Sequence, residues 1–290
     1  MAAEIYQPRS AMRGDRVDFD PDAVRAFEHA GWQQAAAGYD SSFARATAQF
    51  VDVLLDAAGV AEGSRVLDLC CGTGLVAAAA ARRGAVTIGL DFSSAMLAEA
   101  RRAHPRLRFD EAEAEALPYP DRSFDAVVAN LGIHHVPRPD KAIGEAMRVL
   151  QPGGRLTFTS WAVPADNVAW RLLFDAIRAY GDMEAAATAP PSGGNLGTSE
   201  AVLHLLRNAG FAVCRAAAVH REWLVDEPRD IVVALARGTV RTAAVIAAQD
   251  ARALPAIEAA VAAAAAPYRR GDHFAVPIVA ILAYGVKPGA

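Results

Sequence analysis

The run Val66-Leu67-Asp68-Leu69-Cys70-Cys71-Gly72-Thr73-Gly74-Leu75-Val76-Ala77 concentrates the chemistry of this 290-residue chain. Gly72, Gly74 and Ala77 satisfy the G-x-G-x-x-G/A pattern, whose small residues let a strand turn tightly into a helix and let a ligand approach the backbone. That pattern alone fits a nicotinamide dinucleotide equally well. Asp68 weighs against one, because a carboxylate at the strand end would repel the pyrophosphate by roughly a few kcal/mol in a low-dielectric cleft. It suits a ligand that carries an ammonium group beside a sulfonium. Asp91 stands 19 residues beyond Gly72, where an acid accepts the ribose hydroxyls of an adenosine, and Phe92 and Met96 offer the adenine an apolar platform. Plainer roles stay open: a helix cap for Asp68, an N-cap for Asp91, core packing for Met96.

The elements that must position these residues follow from periodicity. Residues 65–69 read as a buried strand, and an alanine-rich helix from Leu75 to Arg83 follows the glycine turn and closes at Gly84. Further strands are expected at 86–91, 107–110, 125–130 and 155–161. A helix opens at Ser93 or Ser94 and stops before Pro105, and another carries Ala142, Ile143, Ala146 and Leu150 on one face. Gln151-Pro152-Gly153-Gly154 reads as a turn. Upstream, Val24, Phe27 and Ala30 mark a helix over 22–37, and a second helix runs over 43–58. Downstream come helices at 169–180 and 199–208, a strand at 211–225, alanine-rich helices over 228–267 broken by Gly238, Pro255 and Pro267, and a last strand at 274–286. Strands alternating with helices in this way indicate an α/β, Rossmann-like, doubly wound sheet. The expectation is seven strands, mostly parallel with an antiparallel C-terminal strand, plus helical lid insertions. The organisation follows: an N-terminal helical segment (1–58), the ligand-binding core (59–161), a lid insertion (162–198) and the C-terminal half of the sheet (199–290) with its insertion at about 228–267.

Composition narrows the function. A net charge of −4, with only two lysines among 29 basic residues, gives no basic stripe of the kind nucleic acids require. The first residues, Met1-Ala2-Ala3-Glu4, form no secretory signal, and the longest apolar stretch, 274–286, contains Pro277 and is too short to span a bilayer. Three cysteines, two of them adjacent, suggest no disulfide framework, and no His or Cys cluster has metal-ligand spacing. The expectation is therefore a cytoplasmic protein with no metal, no nucleic-acid partner and no integral membrane association. A homodimer stays open.

Four segments in order carry a resemblance: Val66 to Gly74, Gly89-Leu90-Asp91-Phe92-Ser93-Ser94-Ala95-Met96-Leu97, Ala114 to Asp125 with its Leu-Pro-Tyr-Pro-Asp core, and Arg148-Val149-Leu150-Gln151-Pro152-Gly153-Gly154. Together they resemble the class I methyltransferases that use S-adenosylmethionine (SAM), especially the ubiquinone/menaquinone C-methyltransferase-like group. The likeness covers about residues 35–161. It implies that Asp68 and the Gly72 backbone face the methionine part of SAM and that Asp91 holds the ribose. It also implies that Glu113 takes the adenine amino group while Ala114 offers its N–H to the ring. Asn130 falls where the family uses a backbone carbonyl near the methionine amino group, and Tyr39 resembles a tyrosine that covers the cofactor. Cys70 departs from the pattern, since the family often has the first glycine of its loop there. His134 and His135, just after the fourth strand, are candidates for holding or deprotonating an acceptor.

The expected activity is methyl transfer from SAM to a small, partly hydrophobic organic acceptor. The alternatives are an NAD-dependent oxidoreductase and a SAM-binding protein without methyl transfer. Residues 162–198 and 226–272, together with the helix near Tyr39, are expected to form a lid over the acceptor pocket, because insertions this long in a compact domain are usually functional.

Overall fold

The computed structural model describes residues 19–185 and 194–289. The first eighteen residues and residues 186–193 of the expected 162–198 insertion lie outside them. The chain opens with α1 (Pro21–Ser42), α2 (Ala44–Thr47) and α3 (Val51–Ala58). Strands and helices then alternate: β1 (Arg65–Leu69), α4 (Leu75–Arg82), β2 (Val86–Asp91), α5 (Ser94–Ala103), β3 (Arg108–Glu111), β4 (Phe124–Asn130), α6 (Pro139–Val149) and β5 (Leu150–Trp161). After these come α7 (Val168–Tyr180), α8 (Ser199–Asn208), β6 (Val213–Val225), α9 (Arg229–Gly238), α10 (Arg241–Ala247), α11 (Leu254–Ala265), the two-residue β7 (Arg269–Arg270) and β8 (His273–Val286).

The sheet runs β3-β2-β1-β4-β5-β8-β6, with β7 paired to β8. β8 is antiparallel to both β5 and β6, and the pairings among β1 to β5 are all parallel. This is the expected doubly wound α/β sheet with one long antiparallel strand, the C-terminal one. Between β2 and β4 the chain order reverses around β1, so the carboxyl ends of these three strands open a crevice.

Covered faces explain the composition of the strands. Leu67, Val127 and Leu156 feed the core under α6 and α8, while Val66, Ala126 and Val128 feed the one under α3 and α4. Both sets are almost fully buried, as expected for parallel strands with helices on both faces. A third cluster gathers α7, α9 and α11 over the free ends of β6 and β8. Here Phe43 lies 5.7–5.8 Å from Trp161, Trp170 and Trp223. The insertion at 228–267 thus folds as three helices, with Gly238 ending α9 and Pro255 in the first turn of α11.

Three local readings change. The buried stripe of α1 is Val24, Glu28, Ala35 and Ala36, and Ala30 is exposed. The helix expected over 43–58 is three pieces, α2, a 3₁₀ turn at Ala48–Phe50 and α3; no Gly or Pro marks the breaks, while Phe43 and Phe50 each rest against Trp161. The Pro152-Gly153-Gly154 segment is a bulge inside β5 rather than a turn before it: Phe124 pairs with Leu150, yet Ala126 pairs with Arg155. Gly153 takes φ +79° there and donates its N–H to the carbonyl of Lys287, which ties the bulge to the end of β8. Among the described residues no helix is long and apolar enough to cross a membrane.

Candidate active site

β1 delivers the chain into a loop in which every second residue is left-handed: Cys70 at φ +57°, Gly72 at +52° and Gly74 at +84°. The two glycines serve different ends. A Cβ on Gly74 would meet the Phe109 ring at 2.7 Å, so smallness there lets α4 pack close to β3. A Cβ on Gly72 would meet nothing within 4 Å, so smallness there leaves the backbone open to a ligand. Asp68, 1% exposed, does not line the cleft. Its Oδ2 accepts the N–H of Ala77 at 2.8 Å, a cap on the first turn of α4, and its Oδ1 is buried without a partner. Burial pushes its carboxyl up to about 8; the Ala77 N–H opposes the shift and the nearby Asp91 charge adds to it. The residue stands behind the loop, and the capping role that the sequence left open is realised.

Asp91 ends β2 at the cleft wall. Its carboxylate accepts the N–H of Gly72 at 2.8 Å and of Ser93 at 2.9 Å, so the 19-residue spacing becomes a hydrogen bond. Burial raises the Asp91 carboxyl against these backbone donors. Phe92 and Met96 line the same wall. Helix α1 lies across it. Gln33 accepts from the Ala95 N–H at 2.7 Å and from the Ser93 hydroxyl at 3.0 Å, and Asp40 accepts the Thr73 hydroxyl at 2.7 Å. Tyr39 lines the cleft and donates to Thr47 Oγ1 at 3.2 Å; burial pushes its phenol up to about 12. Glu113 and Ala114 line the cleft after β3, and Arg25 of α1 donates to Glu113 Oε1 at 2.6 Å.

The third wall follows β4. The Asn130 side chain is a clamp: its Oδ1 accepts the Thr159 hydroxyl at 2.7 Å and its Nδ2 donates to the Thr47 carbonyl at 3.0 Å. Beyond it, Ile133–His135 form a 3₁₀ turn that brings the two histidines apart in environment. His134 does not line the cleft; its Nδ1 is buried without a partner, and burial, then the charges of His135 and Arg241, push it well below the usual histidine range. His135 does line the cleft. Its Nδ1 lies 2.9 Å from Glu28 Oε2, and its ring stands edge-on to Trp32 at 4.9 Å.

The cleft holds about 700 Å³ of empty space, part of it open solvent. It gathers Tyr39, Gly72, Asp91, Phe92, Met96, Glu113, Ala114, Asn130 and His135, while Asp68, Gly74 and His134 support it from behind. Among the described residues, none from 162–198 or 226–272 lines it. The direct cover is α1, through Trp32 and Tyr39; the insertion backs α1, with α9 packed on it and α11 on α7. Sequence reasoning missed Arg25, Glu28, Trp32, Gln33 and Arg241. For Glu28 a signal existed: it falls midway between Val24 and Trp32 at four-residue spacing, an acid on the stripe that α1 turns inward.

Known proteins similar to this chain bear on what the cleft binds. A family model described as a methyltransferase domain matches residues 67–158. Demethylmenaquinone methyltransferase of Renibacterium salmoninarum is 40% identical over 112 residues, covering 39% of this chain and 47% of the relative. The chain spans about half the length of the curated relatives it matches first. The demethylmenaquinone methyltransferase of Thermus thermophilus is 38% identical over 164 residues, 51% of this chain and 74% of the relative. Among solved structures, the YcgJ protein of Bacillus subtilis superposes with a TM-score of 0.54 at 19% identity, covering 83% of this chain and 98% of that one, which speaks for the fold. With the glycine loop, the β2 acid and the sheet order all in place, the chain belongs to the class I SAM-dependent methyltransferases, whose methyl donor is S-adenosylmethionine.

Proposed function

We propose that this enzyme transfers the methyl group of SAM to a small, partly hydrophobic organic acceptor that binds beside His135. The supporting observation is the division of the cleft. The ribose-type anchor, Asp91, ends β2, whereas His135 follows β4, on the far side of β1. With β1 between them, the ends of β2 and β4 stand two strand spacings apart, about 9–10 Å, room to seat an adenosine at one side and an acceptor at the other.

Asp91 accepts the ribose hydroxyls, and the Gly72 and Ser93 amides hold it for that task. Phe92 and Met96 flank the adenine, while the Glu113 carboxylate and the Ala114 N–H address its edge. The Gly72 backbone and the Asn130 carbonyl face the methionine part, with Asp68 behind the loop capping α4 through the Ala77 N–H. Bound SAM supplies a methyl group activated by its sulfonium. Alignment of the two reactants contributes roughly 7–11 kcal/mol in well-oriented systems, so Trp32 and Tyr39, which close the cleft from α1, serve catalysis by fixing orientation and excluding water. Leu131, Val136 and Pro137 make the acceptor side apolar.

Calorimetry with SAM, S-adenosylhomocysteine and NADH tests the cofactor, and transfer of labelled methyl to organic extracts tests the acceptor class. Heat with the two sulfur ligands and none with NADH is expected. His135→Ala should lower turnover and leave SAM affinity within about twofold. Binding of NADH alone, or transfer only to protein or nucleic acid, refutes the reading.

A further inference from the structure

The Glu28 side chain is 0% exposed, and both of its oxygens are committed. Oε2 meets His135 Nδ1 at 2.9 Å and Oε1 accepts Arg241 Nε at 2.7 Å. Three segments far apart in sequence therefore converge on one buried carboxylate: α1, the turn after β4, and α10 of the insertion. An unpaired carboxylate at this depth would be strongly unfavourable, and truncating either partner of such a pair leaves a buried charge. Burial alone would raise the Glu28 carboxyl, but His135 and Arg241 together outweigh it and hold it below its usual range. Glu28 is thus an anion at neutral pH, able only to accept, so the proton between it and the ring belongs to Nδ1. In a neutral imidazole that leaves the lone pair on Nε2, the nitrogen available to the cleft that His135 lines. Trp32 against the ring edge and His134 at 4.1 Å fix the ring plane.

Resting on the methyl-transfer reading above, we infer that Glu28 is a positioning residue. It holds His135 in the Nδ1–H tautomer so that Nε2 acts as general base toward a phenolic or enolic hydroxyl of the acceptor. Imidazole is an effective base where the proton to be removed is of comparable acidity, which fits phenols and enols and not alkyl alcohols. The flat apolar lining of Trp32, Leu131, Val136 and Pro137 suits a conjugated ring. In the step, the acceptor O–H bond breaks and its proton passes to Nε2. The freed oxygen pair forms the bond to the methyl carbon, the C–S bond breaks, and its pair stays on sulfur as the neutral thioether of S-adenosylhomocysteine. The imidazolium, facing Glu28, then returns its proton to solvent. The charged and titratable groups around it are Glu28 from α1, Arg241 from α10 and His134 beside it; Asp91 and Glu113 share the cleft.

Two measurements on the full chain test this. Long-range ¹H–¹⁵N NMR of the histidine-labelled protein reads the tautomer with neither acceptor nor turnover. His135 should carry its proton on Nδ1 in the wild type and lose that preference in Glu28→Gln; a wild-type Nε2–H tautomer overturns the proposal even if the variant fails to fold. The second measurement follows labelled methyl from SAM to ring-substituted phenols graded from nitrophenols to alkylphenols. For the weakly acidic members Glu28→Gln should lower kcat about 10- to 100-fold with KM nearly unchanged. The deficit should shrink to about threefold or less for nitrophenols, whose oxygen is ionised before it binds, and Glu28→Asp should recover part of it. A loss equal across the series marks a merely structural role and overturns the proposal. Absence of transfer to every phenol, with SAM bound and the tautomer as stated, overturns the acceptor class. Absence of SAM binding instead refutes the methyl-transfer reading itself.

Discussion

Asp91→Asn tests the proposed anchor of the cofactor. The native carboxylate accepts two backbone N–H groups, Gly72 at 2.8 Å and Ser93 at 2.9 Å, and presents its remaining lone pairs to the cleft. Asparagine keeps the shape but has one accepting oxygen, so whichever way it turns its amide nitrogen faces one of the two backbone N–H groups and one acceptor is lost. A hydrogen bond to a charged group contributes about 1.5–3 kcal/mol, against about 1 kcal/mol for a neutral one. Losing one charged acceptor toward the ribose therefore raises the SAM Kd by about 10- to 150-fold, since 1.4 kcal/mol is a factor of ten. Calorimetry with 5′-methylthioadenosine and its 2′-deoxy analogue separates the ribose contact from the loop. The wild type should distinguish the two, and the variant should lose that distinction along with its affinity. If the variant binds SAM within about threefold of the wild type, or loses the ribose and deoxyribose ligands equally, Asp91 acts through the loop alone and the assignment fails.

Other substitutions probe the surroundings. With its folded-state pKa near 8, well above the ordinary value of 3.8, Asp68 contributes stability that is fully present below about pH 4 and lost as pH rises through 8; Asp68→Asn should flatten that decline in the ligand-free Tm. An equal decline in wild type and variant would remove Asp68 as its source. Arg25→Ala should free Glu113 and tighten SAM binding by about two- to fivefold, consistent with the roughly 0–1 kcal/mol of a half-exposed pair; weaker binding would show that Arg25 assists the ligand. Gly74→Ala places a Cβ 2.7 Å from Phe109 at φ +84° and should cost about 1–3 kcal/mol, read as a lowered denaturant midpoint; an unchanged midpoint would mean that β3 yields freely.

The sheet was legible because each core strand is buried on both faces, so the runs at 65–69, 86–91 and 125–130 needed no partner to be recognised. The cleft wall between β1 and β2 was legible because it is set by local geometry, a glycine turn and an acid 19 positions on. What stayed hidden depends on contacts distant in sequence. Glu28 meets Arg241 across 213 residues, and Gln33 reaches Ala95 across 62. Pattern alone could place neither pair. The packing of the 228–267 helices was hidden for a related reason: they are apolar because they bury Ile231, Leu235, Ile257 and Val261 against α7 and the aromatic cluster, which composition cannot tell from lining a pocket.

Cys70 shows how a departure from the family pattern is absorbed. Three non-glycine residues among those described have positive φ, and two of them, Cys70 and Leu131, line the cleft directly after the adjacent strands β1 and β4. Left-handed backbone costs a residue with a side chain roughly 1–2 kcal/mol. The space for the Cys70 side chain comes from the opposite wall, where a Cβ added to Gly132 would lie 2.5 Å from Cys70 Cβ. A glycine that is common in the loop is therefore exchanged for one after β4, and the floor of the cleft keeps its width. Burial pushes the Cys70 thiol well above its usual range, with Asp91, Asp68 and Glu113 adding to the shift, so it packs as a neutral small side chain and does not compete with the acceptor for the methyl group. Strain of this kind is retained where the surroundings fix it from both sides. Here the β4–β5 pairing and the Thr159 hydrogen bonds to the Leu131 N–H do so, which keeps the His135 turn in register with the glycine loop.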